Sequence, residues 1–148
     1  MDPKILTPQE VRNVQTTNPS TVYIDVRTVA EFASGHPRGK VVNIPLVFHH
    51  PTTQETFPNN SFLEVVESLY VKNTPLIIGC DTGGRARQAA ARLLEVGYTD
   101  ISVMPEGYTG WRAQKLPTTT DNRNGISYVS LLTPVKRKGK KKSAHASA

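Results

Sequence analysis

Short hydrophobic runs alternate with amphipathic segments along most of this chain. Runs rich in Val, Ile and Leu predict buried strands at four places, residues 22–26, 41–44, 76–78 and 101–104. Apolar side chains at helical spacing predict helices around them, near residues 8–16, 29–34, 62–71 and 86–96. Short strands that alternate with helices predict an α/β domain built around a mainly parallel sheet.

Three of the predicted helices share one start signal, a hydroxyl residue followed three positions later by glutamate. The pairs are Thr7/Glu10, Thr28/Glu31 and Ser61/Glu64. In such a capping box the hydroxyl oxygen accepts a hydrogen bond from a free amide of the first turn, and the glutamate accepts one from the amide of the capping residue. Each pair is therefore expected to cap a helix rather than to carry chemistry.

The chain divides into a domain and a polar C-terminal part. The composition becomes polar after residue 117, so we assign residues 1–117 to the domain. Residues 118–135 are predicted to be a linker that includes an added strand at 128–133. Residues 136–148 contain too few apolar side chains to form a core and are predicted to be disordered.

The formal net charge of +6 belongs to the end of the chain rather than to the domain. Six of the 18 basic residues lie between Lys136 and Lys142, and elsewhere twelve basic residues balance twelve acidic ones. A basic run without aromatic side chains is typical of a solvated tail, although a nuclear-import or anionic-surface patch has the same composition. Nucleic acid is therefore not an expected partner.

The chain has a single cysteine, Cys80, which excludes an internal disulfide and a cysteine-based metal cluster. A lone cysteine suits a reducing compartment. The N-terminal residues lack the apolar run of a signal peptide, and no segment approaches the roughly 20 apolar residues that span a bilayer. We therefore expect a soluble, cytoplasmic protein.

The four histidines do not predict a metal site. His49 and His50 are adjacent within residues 46–60, which are predicted to form a long loop, so they cannot both face one ion as helix-spaced ligands do. A loop of this length could border a functional site or be plain surface. We expect neither a metal ion nor a cofactor.

The segment best suited to chemistry is residues 76–86. A buried strand ends at Cys80, a loop with two glycines follows, and Arg85 opens the next helix. Ligands of open α/β sheets bind beyond the carboxyl ends of strands. Glycines allow successive amides to converge on one point, and such a nest beside a helix N-terminus favours negative charge. Cys80 is therefore predicted to be a nucleophilic thiolate; the alternative is a small buried hydrophobic residue.

Three ordered blocks of sequence resemble the rhodanese domain family, over about residues 5–117. The loop Cys80-x-x-Gly83-x-Arg85 resembles the active-site loop of that family. The upstream block is Tyr23-Ile24-Asp25-Val26-Arg27, Glu31-Phe32, Gly35-His36, Gly39 and Asn43-Ile44-Pro45. The closing block is Gly107, Trp111 and Leu116-Pro117.

The resemblance implies a three-layer α/β/α fold with a mainly parallel five-stranded sheet. It also implies a sulfurtransferase similar to thiosulfate sulfurtransferase, in which Cys80 carries sulfur as a persulfide between a donor such as thiosulfate and an acceptor such as cyanide or a thiol. Arg85 would orient the loop and the substrate. The implied substrate-binding residues are Asp81, Thr82, Gly83, Gly84 and Ala86. Residues implied to be structural and near the site are Asp25, Arg27, His36 and Trp111.

Two departures from the family pattern leave an alternative open. Asp81 places a negative charge next to Cys80, and Ala86 replaces a Ser or Thr that the family often has. The chain could therefore be a rhodanese-like module that receives sulfur from, or docks on, a partner protein and turns over little free thiosulfate.

The related cysteine phosphatases and arsenate reductases fit the loop less well. Such phosphatases place five residues between cysteine and arginine, whereas only four separate Cys80 from Arg85. The shorter loop suits the binding of a single sulfur atom rather than of a tetrahedral phosphate or arsenate. Gly79 also stands where many of those phosphatases have histidine.

Overall fold

A five-stranded parallel sheet forms the centre of the molecule, in a computed structural model that describes residues 2–82 and 84–132. The strand order is β1-β8-β7-β2-β4 and every neighbouring pair is parallel. These strands are β1 (Lys4–Ile5), β2 (Val22–Asp25), β4 (Val41–Asn43), β7 (Leu76–Gly79) and β8 (Ile101–Met104). The structure confirms the predicted five-stranded parallel sheet, and β1 is the strand that the hydrophobic pattern did not predict.

Helices cover both faces of the sheet. They are α1 (Pro8–Thr17), α2 (Val29–Ser34), α3 (Phe62–Leu69), α4 (Gly84–Glu95) and α5 (Gly107–Ala113). The core on one face is supplied mainly by α3 and α4 together with Ile24 and Ile78. The core on the other face includes Tyr23, Ile77 and Trp111. Alternating side chains of each central strand thus point into opposite cores, which gives three layers.

Two of the three predicted capping boxes are present. Thr7 with Glu10 and Thr28 with Glu31 each make both reciprocal hydrogen bonds. The prediction for Ser61 is wrong, because its side chain makes no capping bond. The backbone of Ser61 is not extended (φ −97°, ψ 5°), and its amide donates to Oδ1 of Asn59 instead. Helix α3 therefore begins from an asparagine turn.

The predicted loop at residues 46–60 contains a short antiparallel hairpin. Its strands are β5 (Val47–His49) and β6 (Thr56–Pro58), with Phe48 paired to Phe57. The hairpin lies on the side of the sheet where β4 forms the edge, since the amide of Asn59 donates to the carbonyl of Leu46. The loop is thus an ordered projection from the domain.

Residues 118–132 pack against the domain rather than forming a linker. Strand β9 (Thr118–Thr119) pairs with β3 (His36–Pro37), and residues 128–132 are helical. The added strand predicted there is therefore wrong over 128–132. Tyr128 and Leu131 are three residues apart, so one helical face buries both of them in the core, which strand alternation could not do. The strand's last position, residue 133, and the tail at 136–148 lie outside the described residues.

Candidate active site

Cys80 lies at the carboxyl edge of the sheet, directly after the central strand β7. Gly79, the last residue of β7, is in register with Asp25 at the end of β2 and Met104 at the end of β8. The carboxyl ends of three neighbouring strands therefore meet around Cys80. This is where open parallel sheets bind their ligands.

The loop after Cys80 is fixed by the start of helix α5. The amide of Tyr108 donates to the carbonyl of Cys80 at 2.8 Å, and the amide of Thr109 donates to the carbonyl of Asp81 at 3.3 Å. Gly107 has φ +62°, and a Cβ atom on it would overlap both of those carbonyl groups. A glycine is therefore required where α5 meets the loop. The sequence pointed to Gly107, but it gave no sign that Tyr108 and Thr109 hold the loop.

The carboxylate of Asp81 is engaged by a neighbouring side chain. The Thr109 hydroxyl donates to its Oδ1 at 2.8 Å, so Asp81 joins the loop to α5. Thr82 is exposed, and Gly84 is the first residue of α4. Gly83 lies outside the described residues, and Ala86 is buried in the core rather than exposed to a ligand.

Arg85 forms an ion pair that the sequence analysis did not anticipate. Its two terminal nitrogens donate to the two carboxylate oxygens of Glu31 at 2.7 and 3.1 Å. Burial raises the pKa of Glu31, but the hydrogen bonds from Arg85 and from the capping amide of Thr28 outweigh it and lower the pKa to about 2. Glu31 therefore caps α2 and also holds the arginine of the loop.

The same pair affects Arg85. The hydrogen bond to Glu31 raises the pKa of Arg85, with a smaller contribution from the nearby Cys80. Glu31 therefore neutralises part of the positive charge of Arg85.

Asp25 and Arg27 form a buried ion pair beside the site. Arg27 donates from its backbone amide and its guanidinium to Asp25, the shortest bond being 2.8 Å, and it also donates to the carbonyl of Gly35. The guanidinium lies 4.4 Å from the centre of the Tyr108 ring. Burial raises the pKa of Asp25, and the bonds from Arg27 oppose that rise. The pair joins the end of β2 to the start of α5.

His36 and Trp111 are both buried in the domain. The His36 ring stacks on Phe32 at 3.6 Å, and its Nδ1 lies 3.0 Å from the Phe32 carbonyl oxygen. Burial lowers the pKa of His36. Trp111 Nε1 donates to the carbonyl of Pro117 at 2.8 Å. These contacts place both residues in or against the core on the face of the sheet that includes Tyr23 and Ile77.

The absence of a side chain at residue 79 has a steric cause. A Cβ atom on Gly79 would overlap the hydroxyl and ring of Tyr23. The Tyr23 hydroxyl is buried and has no hydrogen-bond partner among the residues that the structure describes. Burial and then the charge of Asp25 raise the pKa of Tyr23 well above its ordinary value. Tyr23 therefore fills the space beneath the residue that precedes Cys80.

Cys80 itself is nearly buried, with 2% of the residue exposed. It contacts the core formed by the helices α3 and α4. The sequence predicted that Cys80 lies at the end of a buried strand, and the structure places it directly after β7 and against the core, as its alternative interpretation as a buried hydrophobic residue also requires.

Comparison with known proteins identifies the family. A sequence model described as Rhodanese-like domain matches residues 7–114. Thiosulfate sulfurtransferase 16, chloroplastic, from Arabidopsis thaliana is 36% identical over 96 residues, which are 65% of this chain and 78% of that protein. Thiosulfate sulfurtransferase GlpE from Haemophilus influenzae is 31% identical over 117 residues, which are 79% of this chain and 95% of GlpE.

A solved structure agrees with these sequence matches. The crystal structure of Rv0390 from M. tuberculosis is 27% identical, and its TM-score is 0.67 over 82% of this chain and all of that chain. The chain therefore belongs to the rhodanese-like domain family. No helix in the described part of the chain is long and apolar enough to span a membrane.

Proposed function

We propose that this protein is a sulfurtransferase that carries a sulfane sulfur on Cys80. In the first step the Cys80 thiolate attacks the outer sulfur of thiosulfate or a related donor. A new S–S bond forms, the bond between the two donor sulfurs breaks, and sulfite leaves with the electron pair. In the second step a thiolate or cyanide attacks the outer sulfur of the persulfide, and Cys80 leaves as the thiolate.

The observation that carries this proposal is the position of Cys80 at the carboxyl end of the central strand, in a loop pinned to α5. The hydrogen bond from Tyr108 to the Cys80 carbonyl fixes the backbone of the nucleophile, so little reorganisation is needed at the moment of attack. Arg85 supplies a positive charge at the other end of the loop. The names of the two sulfurtransferase relatives support the same reaction class.

Transfer of sulfur from thiosulfate to cyanide tests the proposal. We expect the purified full-length protein to form thiocyanate with saturable kinetics in thiosulfate. Cys80→Ser removes the thiol at similar volume and should abolish turnover while leaving the thermal unfolding temperature close to that of the wild type. Turnover that persists in Cys80→Ser would contradict a persulfide on this residue.

A carrier module that takes sulfur from a partner protein is the second candidate. The neutralisation of Arg85 by Glu31 favours it, because this pairing weakens the attraction of the loop for a free dianionic donor. Such a module would become persulfidated when mixed with a persulfide-bearing protein but not with thiosulfate alone. Parallel loading with the two donors distinguishes the candidates. For either one we propose the cytoplasm, a reducing compartment that keeps the thiol available.

A further inference from the structure

A groove of about 610 Å³ lies beside the loop, on the side where Arg85 meets Glu31. One wall consists of this ion pair and of Gln88, one turn further along α4. The opposite wall is the β5–β6 hairpin, which contributes Val47, His49 and Thr56. The groove thus joins the end of the loop to a projection that the sequence predicted only as a long loop.

The two faces of the hairpin have different surroundings. Val47, His49 and Thr56 line the groove, and His49 is paired with Thr56 across the strands. Phe57 is adjacent to Thr56, and because side chains alternate along a strand it belongs to the opposite face. Its cross-strand partner Phe48 lies on that same face, 6.0 Å from the Tyr128 ring. One face of the hairpin therefore serves the groove and the other faces the C-terminal segment.

The groove is much larger than the small sulfur donors and acceptors. Sites for ligands of drug size enclose about 300–1,000 Å³, whereas thiosulfate and cyanide contain only a few atoms. Its walls are close to neutral because Glu31 and Arg85 pair with each other. Gln88, His49 and Thr56 provide hydrogen-bonding side chains, and Val47 provides an apolar contact. These features suit the backbone of an extended peptide better than a small anion.

We propose that this groove binds a peptide that carries the acceptor cysteine, and that the hairpin face formed by Val47, His49 and Thr56 selects this peptide over a free small thiol. The inference rests on the proposed function, since it concerns the second step. The acceptor thiolate attacks the outer sulfur of the protonated persulfide, an S–S bond forms on the acceptor, and the bond to Cys80 Sγ breaks with its electron pair remaining on Cys80. During this exchange the groove binds the residues that flank the acceptor cysteine.

The proposal is tested with two acceptors that carry the same cysteine thiol but differ in whether residues flank the cysteine. The full-length protein is loaded with thiosulfate, desalted, and mixed with N-acetylcysteine amide or with a blocked Ala-Ala-Cys-Ala-Ala peptide. The readout is the ratio of second-order rate constants for sulfur transfer, peptide over amide. We expect a ratio of about 10 for the wild type, since two additional hydrogen bonds of about 0.7 kcal/mol each give that factor.

Adjacent substitutions on the two faces of the hairpin provide the matched comparison. Thr56→Trp fills the groove and should bring the ratio close to one. Phe57→Trp adds a similar side chain on the other face, at a residue that is already exposed, and should keep the ratio of the wild type. A wild-type ratio near one, or equal ratios in the two variants, would overturn the groove as a peptide site while leaving sulfur transfer intact. A wild type that loads neither from thiosulfate nor from a persulfide-bearing protein donor would overturn the proposed function and this inference together. A loaded wild type that transfers sulfur to neither thiol acceptor would overturn this inference alone.

Discussion

Replacement of Glu31 by Gln isolates the ion pair that holds the arginine of the loop. Glu31 accepts hydrogen bonds from Arg85 at 2.7 and 3.1 Å and from the amide of Thr28 at 3.0 Å. Glutamine has the same length and serves equally at this position of a capping box. The substitution therefore removes the charge and keeps the helix cap.

The expected loss of stability follows from the pKa of Glu31. The pKa falls from 4.5 to about 2 on folding, and each pKa unit corresponds to about 1.4 kcal/mol. The side chain of Glu31 is 35% exposed and that of Arg85 is 27% exposed, so solvent screens the pair. With that discount we expect Glu31→Gln to lower the free energy of unfolding by about 1–2 kcal/mol at neutral pH.

The pH dependence fixes the sign of this effect. Because the folded-state pKa is depressed, the stabilisation is fully present above the unfolded pKa of about 4.5 and is lost as the pH falls towards 2. Urea unfolding followed by the fluorescence of the single, buried Trp111 measures it at neutral and at acid pH. The difference in the free energy of unfolding between wild type and Glu31→Gln should shrink as the pH falls from 4.5. Glu55→Gln, at an exposed position, should have nearly the free energy of unfolding of the wild type at every pH. A difference that stays constant with pH would refute the role assigned to the pair.

Three further substitutions test other contacts of the site. Gly107→Ala should lower the free energy of unfolding by about 1–3 kcal/mol and slow sulfur transfer sharply, because φ is +62° and the new Cβ overlaps the loop carbonyls; thermal unfolding and the cyanide assay measure both effects. Thr109→Val should cost about 1 kcal/mol in urea unfolding through the lost 2.8 Å bond to Asp81, whereas Thr99→Val, at a second exposed threonine whose bond to the Lys72 carbonyl is 3.4 Å long, should cost less. Tyr23→Phe should raise the free energy of unfolding by about 1 kcal/mol, since it removes a buried hydroxyl without a described partner, and a loss of stability would contradict that assignment.

The sequence predicted the layers of this fold because its strands are buried on both faces. Four continuous runs of β-branched residues correspond to β2, β4, β7 and β8, and two hydroxyl–glutamate pairs cap their helices as expected. The edge strand β1 has only two residues and both are exposed, so no hydrophobic run reveals it. Residues 128–132 have a mixed pattern that fits strand alternation, and only contact with the core selects the helix.

The site was predictable in position but not in its connections. Local sequence places Cys80 after a buried strand and Arg85 at a helix start. The pairing of Arg85 with Glu31 spans 54 residues, and the contact of Gly79 with Tyr23 crosses neighbouring strands. Such contacts depend on strand order and register, which a single sequence does not specify.

The mass of the intact protein after incubation with thiosulfate tests the central claim most directly. A gain of one sulfur atom that peptide mapping assigns to Cys80, and that cyanide then removes in one step, is the result that this account predicts. An unchanged mass with thiosulfate and with a persulfide-bearing protein donor would contradict it.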